Sequence, residues 1–111
     1  MKKNENELTE REIKERTEAV RVLVAARELL HSDGWGQGDY YTKEGPCMFG
    51  ACLAAMHANT SNSDMHRSEI VEAALVKSTR NESWWDWNDS PRRTKEQVMN
   101  ALDRAVKTLI E

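Results

Sequence analysis

Long apolar runs are missing from this chain. No stretch approaches the ~20 residues of a membrane span, and the opening Met1-Lys2-Lys3-Asn4-Glu5-Asn6-Glu7 has no apolar core of the kind a signal peptide carries. A cytoplasmic protein with no membrane partner is therefore expected. Cysteine is scarce as well. Cys47 and Cys52 are the only two, and their five-residue spacing on what reads as one helix puts them on different faces, a poor geometry for a disulfide. Free thiols in a reducing compartment follow. The set Cys47, Cys52, His57 and His66 has none of the spacings of a zinc centre, so no metal and no cofactor are expected. Charge of one sign is not concentrated anywhere. With 16 Lys and Arg against 19 Asp and Glu, a net charge of -3 gives no basic face on which counterion release could drive general nucleic-acid binding. Repeats and low-complexity segments are absent too.

What is present is concentrated in one stretch, Trp84-Trp85-Asp86-Trp87-Asn88-Asp89-Ser90-Pro91-Arg92-Arg93-Thr94, which holds three of the four tryptophans. Each indole covers ~150–250 Å² when inside, and a chain of 111 residues has one modest core to put them in. The stretch must therefore be a packed corner of the fold, with Trp87 structural whatever the function.

The rest of the chain reads as helices around that corner. Thr9-Glu10-Arg11-Glu12 has capping-box spacing, and the steps among Ile13, Val20, Leu23, Val24 and Leu30, with Val22, Ala26 and Leu29 widening the stripe in the second half, predict a helix ending at Asp33-Gly34, buried from about residue 17 onward. Residues 1–16 are its charged extension, and 17–111 form a single α-helical domain. Four of the five glycines lie in 34–45, which predicts a loop, or a short hairpin with Tyr40-Tyr41-Thr42 as one arm. Pro46 suits the first position of a second helix over 46–58, with Phe49, Leu53 and Met56 on its main stripe. A polar linker from Asn59 to Asp64 leads to a third helix over 64–78, with Met65, Ile70, Ala73, Ala74 and Leu75 or Val76 inward. Thr94-Lys95-Glu96-Gln97 caps the last helix, whose Val98, Leu102, Ala105 and Leu109 make the cleanest amphipathic pattern. The expected fold is a compact all-α, four-helix domain with a core of Val20, Leu23, Leu30, Phe49, Leu53, Ile70, Val98, Leu102 and Ala105.

Gly34-Trp35-x-Gln37-Gly38, Cys47-x-x-Gly50-Ala51-Cys52-Leu53, Trp87-Asn88-Asp89-x-Pro91-x-Arg93-Thr94-x-x-x-Val98 and Leu102-Asp103-Arg104-Ala105 occur in this order. Together they resemble a family of small uncharacterised proteins of actinobacteria and bacteriophages. The resemblance spans about residues 20–108 and implies an intracellular, phage-related accessory protein; it brings no assigned activity. Gly36 departs from its pattern, where relatives often carry a polar residue or cysteine.

Two candidate sites stand out. Trp35, Gln37, Trp84, Trp87, Asn88, Arg92 and Arg93 combine stacking faces, amides that can read hydrogen-bonding edges, and cations for an anion. They point to a small anionic or nucleotide-like ligand, although the same residues make an ordinary hydrophobic corner. Cys47 at a helix start would feel free amides and the dipole, which lower a thiol pKa. It lacks a base, however: His57 is ten residues along the same helix, about 15 Å by rise, and His31 or His66 could reach it only through the fold. A non-enzymatic binding protein is therefore preferred. The alternatives are a cysteine-dependent enzyme using Cys47 and an adaptor using the charged first helix. A protein partner or homo-oligomer remains open.

Overall fold

A computed structural model describes residues 8–59 and 65–111, with backbone only at 58, 59 and 65–68. The N-terminal residues 1–7, the linker 60–64 and the side chains of Met65 and His66 lie outside the described residues. The elements are α1 (Glu10–Asp33), β1 (Tyr41–Thr42), β2 (Gly45–Pro46), α2 (Met48–Asn59), α3 (Met65–Thr79), α4 (Trp84–Asn88) and α5 (Lys95–Ile110). The fold is mostly α. Among the described residues there are five helices rather than the expected four, because the tryptophan stretch itself coils into a turn of helix.

Local chemistry sets most boundaries. Thr9 Oγ1 accepts from Glu12 N–H at 3.1 Å while the Glu12 carboxylate accepts from Thr9 N–H at 3.0 Å, satisfying two of the amides a helix start leaves open. Thr94 and Gln97 repeat the arrangement at α5. Helix α1 ends at Gly34, whose φ of 94° an L side chain rarely adopts. Helix α3 ends on Arg80 at φ 57°, with Asn81 N–H donating back to Val76 O at 3.2 Å in a Schellman closure.

Pro46 is not the first residue of a helix. It pairs with Tyr41 in a two-stranded antiparallel hairpin, Thr42 pairing with Gly45. Its carbonyl accepts from Gly36 N–H at 3.0 Å, and the Cys47 amide donates to Tyr40 O at 2.9 Å; both bonds hold the segment extended. Helix α2 therefore starts two residues later than the sequence suggests.

Helix α1 packs against α2, α3 and α5, and α3 against α5. Its buried face is Ala19, Val22, Leu23, Ala26 and Leu30: Leu23 and Leu30 from the expected stripe, Val22 and Ala26 from the positions expected to widen it, and Ala19 beside them. Val20 is only half-buried, and Ile13 and Val24 are 51% and 47% exposed. The reason is that three neighbouring helices choose the face, and alanines fit where they approach closely. Leu23, Leu30, Phe49, Val98, Leu102 and Ala105 are buried as expected, while Leu53 and Ile70 are partly buried against that core. In α3, Leu75 faces in with Val71 and Ala74, and Ala73 is exposed. Polar contacts also cross at the surface: Arg27 pairs with Asp103 at 2.8 Å between α1 and α5, and Lys95 Nζ donates to the His31 carbonyl near the end of α1. No described helix is long and apolar enough to cross a membrane.

Leu102→Ala should cost about 2–5 kcal/mol in urea unfolding, because a fully buried side chain leaves a cavity. Val24→Ala should cost less than about 0.5 kcal/mol, as a surface change does. Equal losses would contradict the face assigned to α1.

Candidate functional site

The last residue of α4, Asn88, is wholly buried. An amide side chain can accept twice through its oxygen and donate twice through its nitrogen. Asn88 does both. Its Oδ1 accepts from Trp35 Nε1 at 2.8 Å and from Met48 N–H at 3.0 Å. Its Nδ2 donates to Gly36 O at 3.3 Å and to Asp89 Oδ1 at 2.9 Å. Gln37 adds a second clasp, its Nε2 donating to Asn88 O at 2.9 Å and Ser90 O at 2.8 Å, and Gly38 N–H donates to Asp89 Oδ1 at 3.0 Å. The glycine-rich loop, the start of α2 and the end of α4 are thus tied at one point. Gly36 is buried beneath the tie, where a Cβ would collide with Thr42 Oγ1 and lie 2.6 Å from Gly45 O. A side chain there would push the hairpin off the loop.

Beside this knot is a cleft of about 270 Å³ lined by Gly38, Asp39, Tyr40, Cys47, Trp84, Trp85, Asn88 and Asp89. The hairpin positions Tyr40 through the Cys47-to-Tyr40 backbone bond. Trp84 is buried against Phe49, ring centroids 4.8 Å apart, and its Nε1 donates to Glu72 at 3.0 Å. Trp85 stands edge-on to Trp84 at 5.4 Å and is half exposed. Among the described residues no Lys or Arg pairs with Asp39 or Asp89.

Of the residues expected to form a site, Trp84 and Asn88 line this cleft, as does Cys47. Trp35, Gln37, Trp87, Arg92 and Arg93 do not. The amides of Gln37 and Asn88 are engaged by the protein's own groups. Arg93 lies over the Trp87 ring, 3.8 Å from its centroid, and its Nε donates to Trp87 O at 2.8 Å, so it closes the end of α4. Trp87 is partly buried against the core, whereas Trp84 is the tryptophan deepest inside. Arg92 is exposed. Besides Gly38, the lining residues not selected from the sequence are Asp39, Tyr40, Trp85 and Asp89. Their signal was an acidic and aromatic pair beside each turn, visible only once the two turns meet.

Cys47 sits just before α2, where its carbonyl accepts from Ala51 N–H at 2.9 Å and its Sγ from Gly50 N–H at 3.3 Å. The expected lowering of its pKa is reversed. Burial and, to a lesser extent, the Asp89 carboxylate push the thiol up, outweighing the amides that pull it down. Burial, with some help from Cys47, pushes Cys52 up further. Tyr41, donating to Gly50 O at 3.0 Å, is raised by burial and by Cys47. Among the described residues no three His, Cys, Asp or Glu are grouped to hold a metal.

Asn88→Ala should destabilise the protein by roughly 2–6 kcal/mol, since the Trp35 indole and the Met48 amide each lose an acceptor at about 1–3 kcal/mol. A loss below that of an exposed substitution such as Glu96→Ala would show that the knot is not what joins the segments. Both thiols stay neutral in the folded chain beyond the pH at which they ionise in the unfolded chain. Stability should therefore be full below about pH 8.5 and fall as pH rises above it, by up to about 1.4 kcal/mol per pH unit for each thiol. Denaturant midpoints across pH 7–10 check this: Cys52→Ala should flatten the fall, and an unchanged slope would refute the assignment.

No curated protein and no solved structure matches the chain. Residues 14–108 match a family of unknown function, DUF6197, a span that begins somewhat earlier than the motifs alone suggest, and the chain belongs to that family.

Proposed function

We propose that this chain is a non-enzymatic binding protein whose recognition site is the cleft between the hairpin and α4, and that the group it takes is positively charged. The accessory, cytoplasmic and phage-related role implied by the resemblance forms part of this proposal. The observation that carries it is the lining: the half-exposed rings of Tyr40 and Trp85, with the buried Trp84 behind them, beside the carboxylates of Asp39 and Asp89, with neither arginine among them. A cation over an aromatic face gains about 0.5–2 kcal/mol, more as water is excluded. A nucleotide phosphate would instead meet two carboxylates. The charge of the proposed ligand is thus opposite to the sequence expectation, because Arg93 is engaged with Trp87 and Arg92 lies outside the cleft. The cysteine-enzyme alternative has less support, since a thiol held neutral by burial and by Asp89 is a weak nucleophile.

Intrinsic fluorescence of the full chain at low salt tests the charge. Benzyltrimethylammonium should perturb the tryptophan emission and raise the melting temperature, weakening with added salt. Benzoate and adenosine monophosphate should do neither. Tighter binding of either anion would overturn the proposal.

A further inference from the structure

We infer that the positive group is the guanidinium of an arginine side chain presented by a partner polypeptide; this rests on the cleft being a site for cations. Three observations carry it. The cleft, at about 270 Å³, is smaller than the 300–1,000 Å³ typical of sites for free drug-sized ligands. Such sites also enclose most of their ligand, whereas here the walls are open: Tyr40 is 47% and Trp85 49% exposed. Tyr41, next to Tyr40 in sequence, is also 55% exposed. Tyr40, Tyr41 and Trp85 make up half of the six large hydrophobics exposed among the described residues. Exposed aromatics around a small pocket are the composition of a protein interface with one anchoring side chain at its centre.

Charge decides which side chain. Asp39 and Asp89 lack a cationic partner among the described residues, and the exposed Asp86 adjoins Trp85. A carboxylate beside an indole suits a planar guanidinium, which forks onto the one and stacks on the other; an ammonium can only act as a point charge. The protein makes that stack within itself, at Arg93 over Trp87. Bound arginine would leave its backbone and flanking residues outside the cleft, beside the exposed parts of Tyr40 and Trp85.

The test is calorimetric titration of the full chain at about 50 mM salt, chosen because surface charge pairs are strongly screened above it. The probes are a blocked pentapeptide with leucine on either side of a central arginine, the same peptide with citrulline, n-propylguanidinium, and benzyltrimethylammonium. The arginine peptide should bind at least tenfold tighter than the citrulline peptide and than propylguanidinium. Trp85→Ala and Asp39→Asn should each weaken it at least fivefold, and Asp39→Asn should do so without moving the melting temperature, since Asp39 is exposed. Propylguanidinium binding as tightly as the peptide would overturn the polypeptide inference and leave the cation site standing. So would benzyltrimethylammonium binding when the peptide does not. Equal affinity for citrulline would also overturn it, and failure of every cation would remove the site itself.

Discussion

One side-chain amide ties together the cleft end of this molecule. Asn88 accepts from an indole 53 residues earlier and from a backbone amide 40 residues earlier, and donates to a carbonyl 52 residues earlier. A fully buried amide is costly unless every position is used, and here every position is. Loops without regular hydrogen bonding ordinarily keep their polar groups at the surface. The Asn88 amide supplies the partners that let the Trp35–Gly38 segment lie against α2 and α4 instead. Gln37 and Asp89 extend the same network over the next residues on either side.

The cleft is a consequence of that network. Its floor is the start of α2, its walls are Tyr40 on one side and the indoles of α4 on the other, and the distance between walls is set by bonds through Asn88. The electrostatic character follows from which charged residues the knot leaves at the surface. Asp39 and Asp89 accept from neighbouring amides through one oxygen and remain exposed. Arg93 is turned away to complete the end of α4, stacked on Trp87. A stretch whose two arginines suited an anion in sequence therefore presents an acidic, aromatic surface at the cleft. The same burial that encloses Cys47 pushes its thiol pKa up, against the pull of the amides at the start of α2.

Much of the scaffold was legible because it depends on neighbours in sequence. Both capping boxes, the glycine end of α1 and the amphipathic pattern of α5 are local, and each stands where spacing placed it. The hairpin was visible as an alternative in Tyr41 and Thr42. The start of α2 was not, since a proline before a helix-forming run suits both a helix start and a strand end. Bonds from Gly36 and to Tyr40 settled it. Along α1 the apolar residues form a stripe too wide to say which edge is buried. Contact with three helices selected Ala19, Val22 and Ala26 over Val20 and Val24.

By itself the sequence determined the mostly helical class and the helix ends that caps define; its expectation of a packed tryptophan stretch holds for Trp84 and in part for Trp87, while Trp85 stays half exposed. Tertiary structure alone decided which tryptophan is deepest, that the Asn88 amide is a structural hub, that Arg93 faces Trp87, and that Asp39 and Asp89 share a cleft with Tyr40 and Trp85. The division has a physical cause. Caps and periodicity act over three or four residues, whereas the charge and shape of the cleft arise from groups about 50 residues apart, brought together by hydrogen bonds that no local pattern encodes.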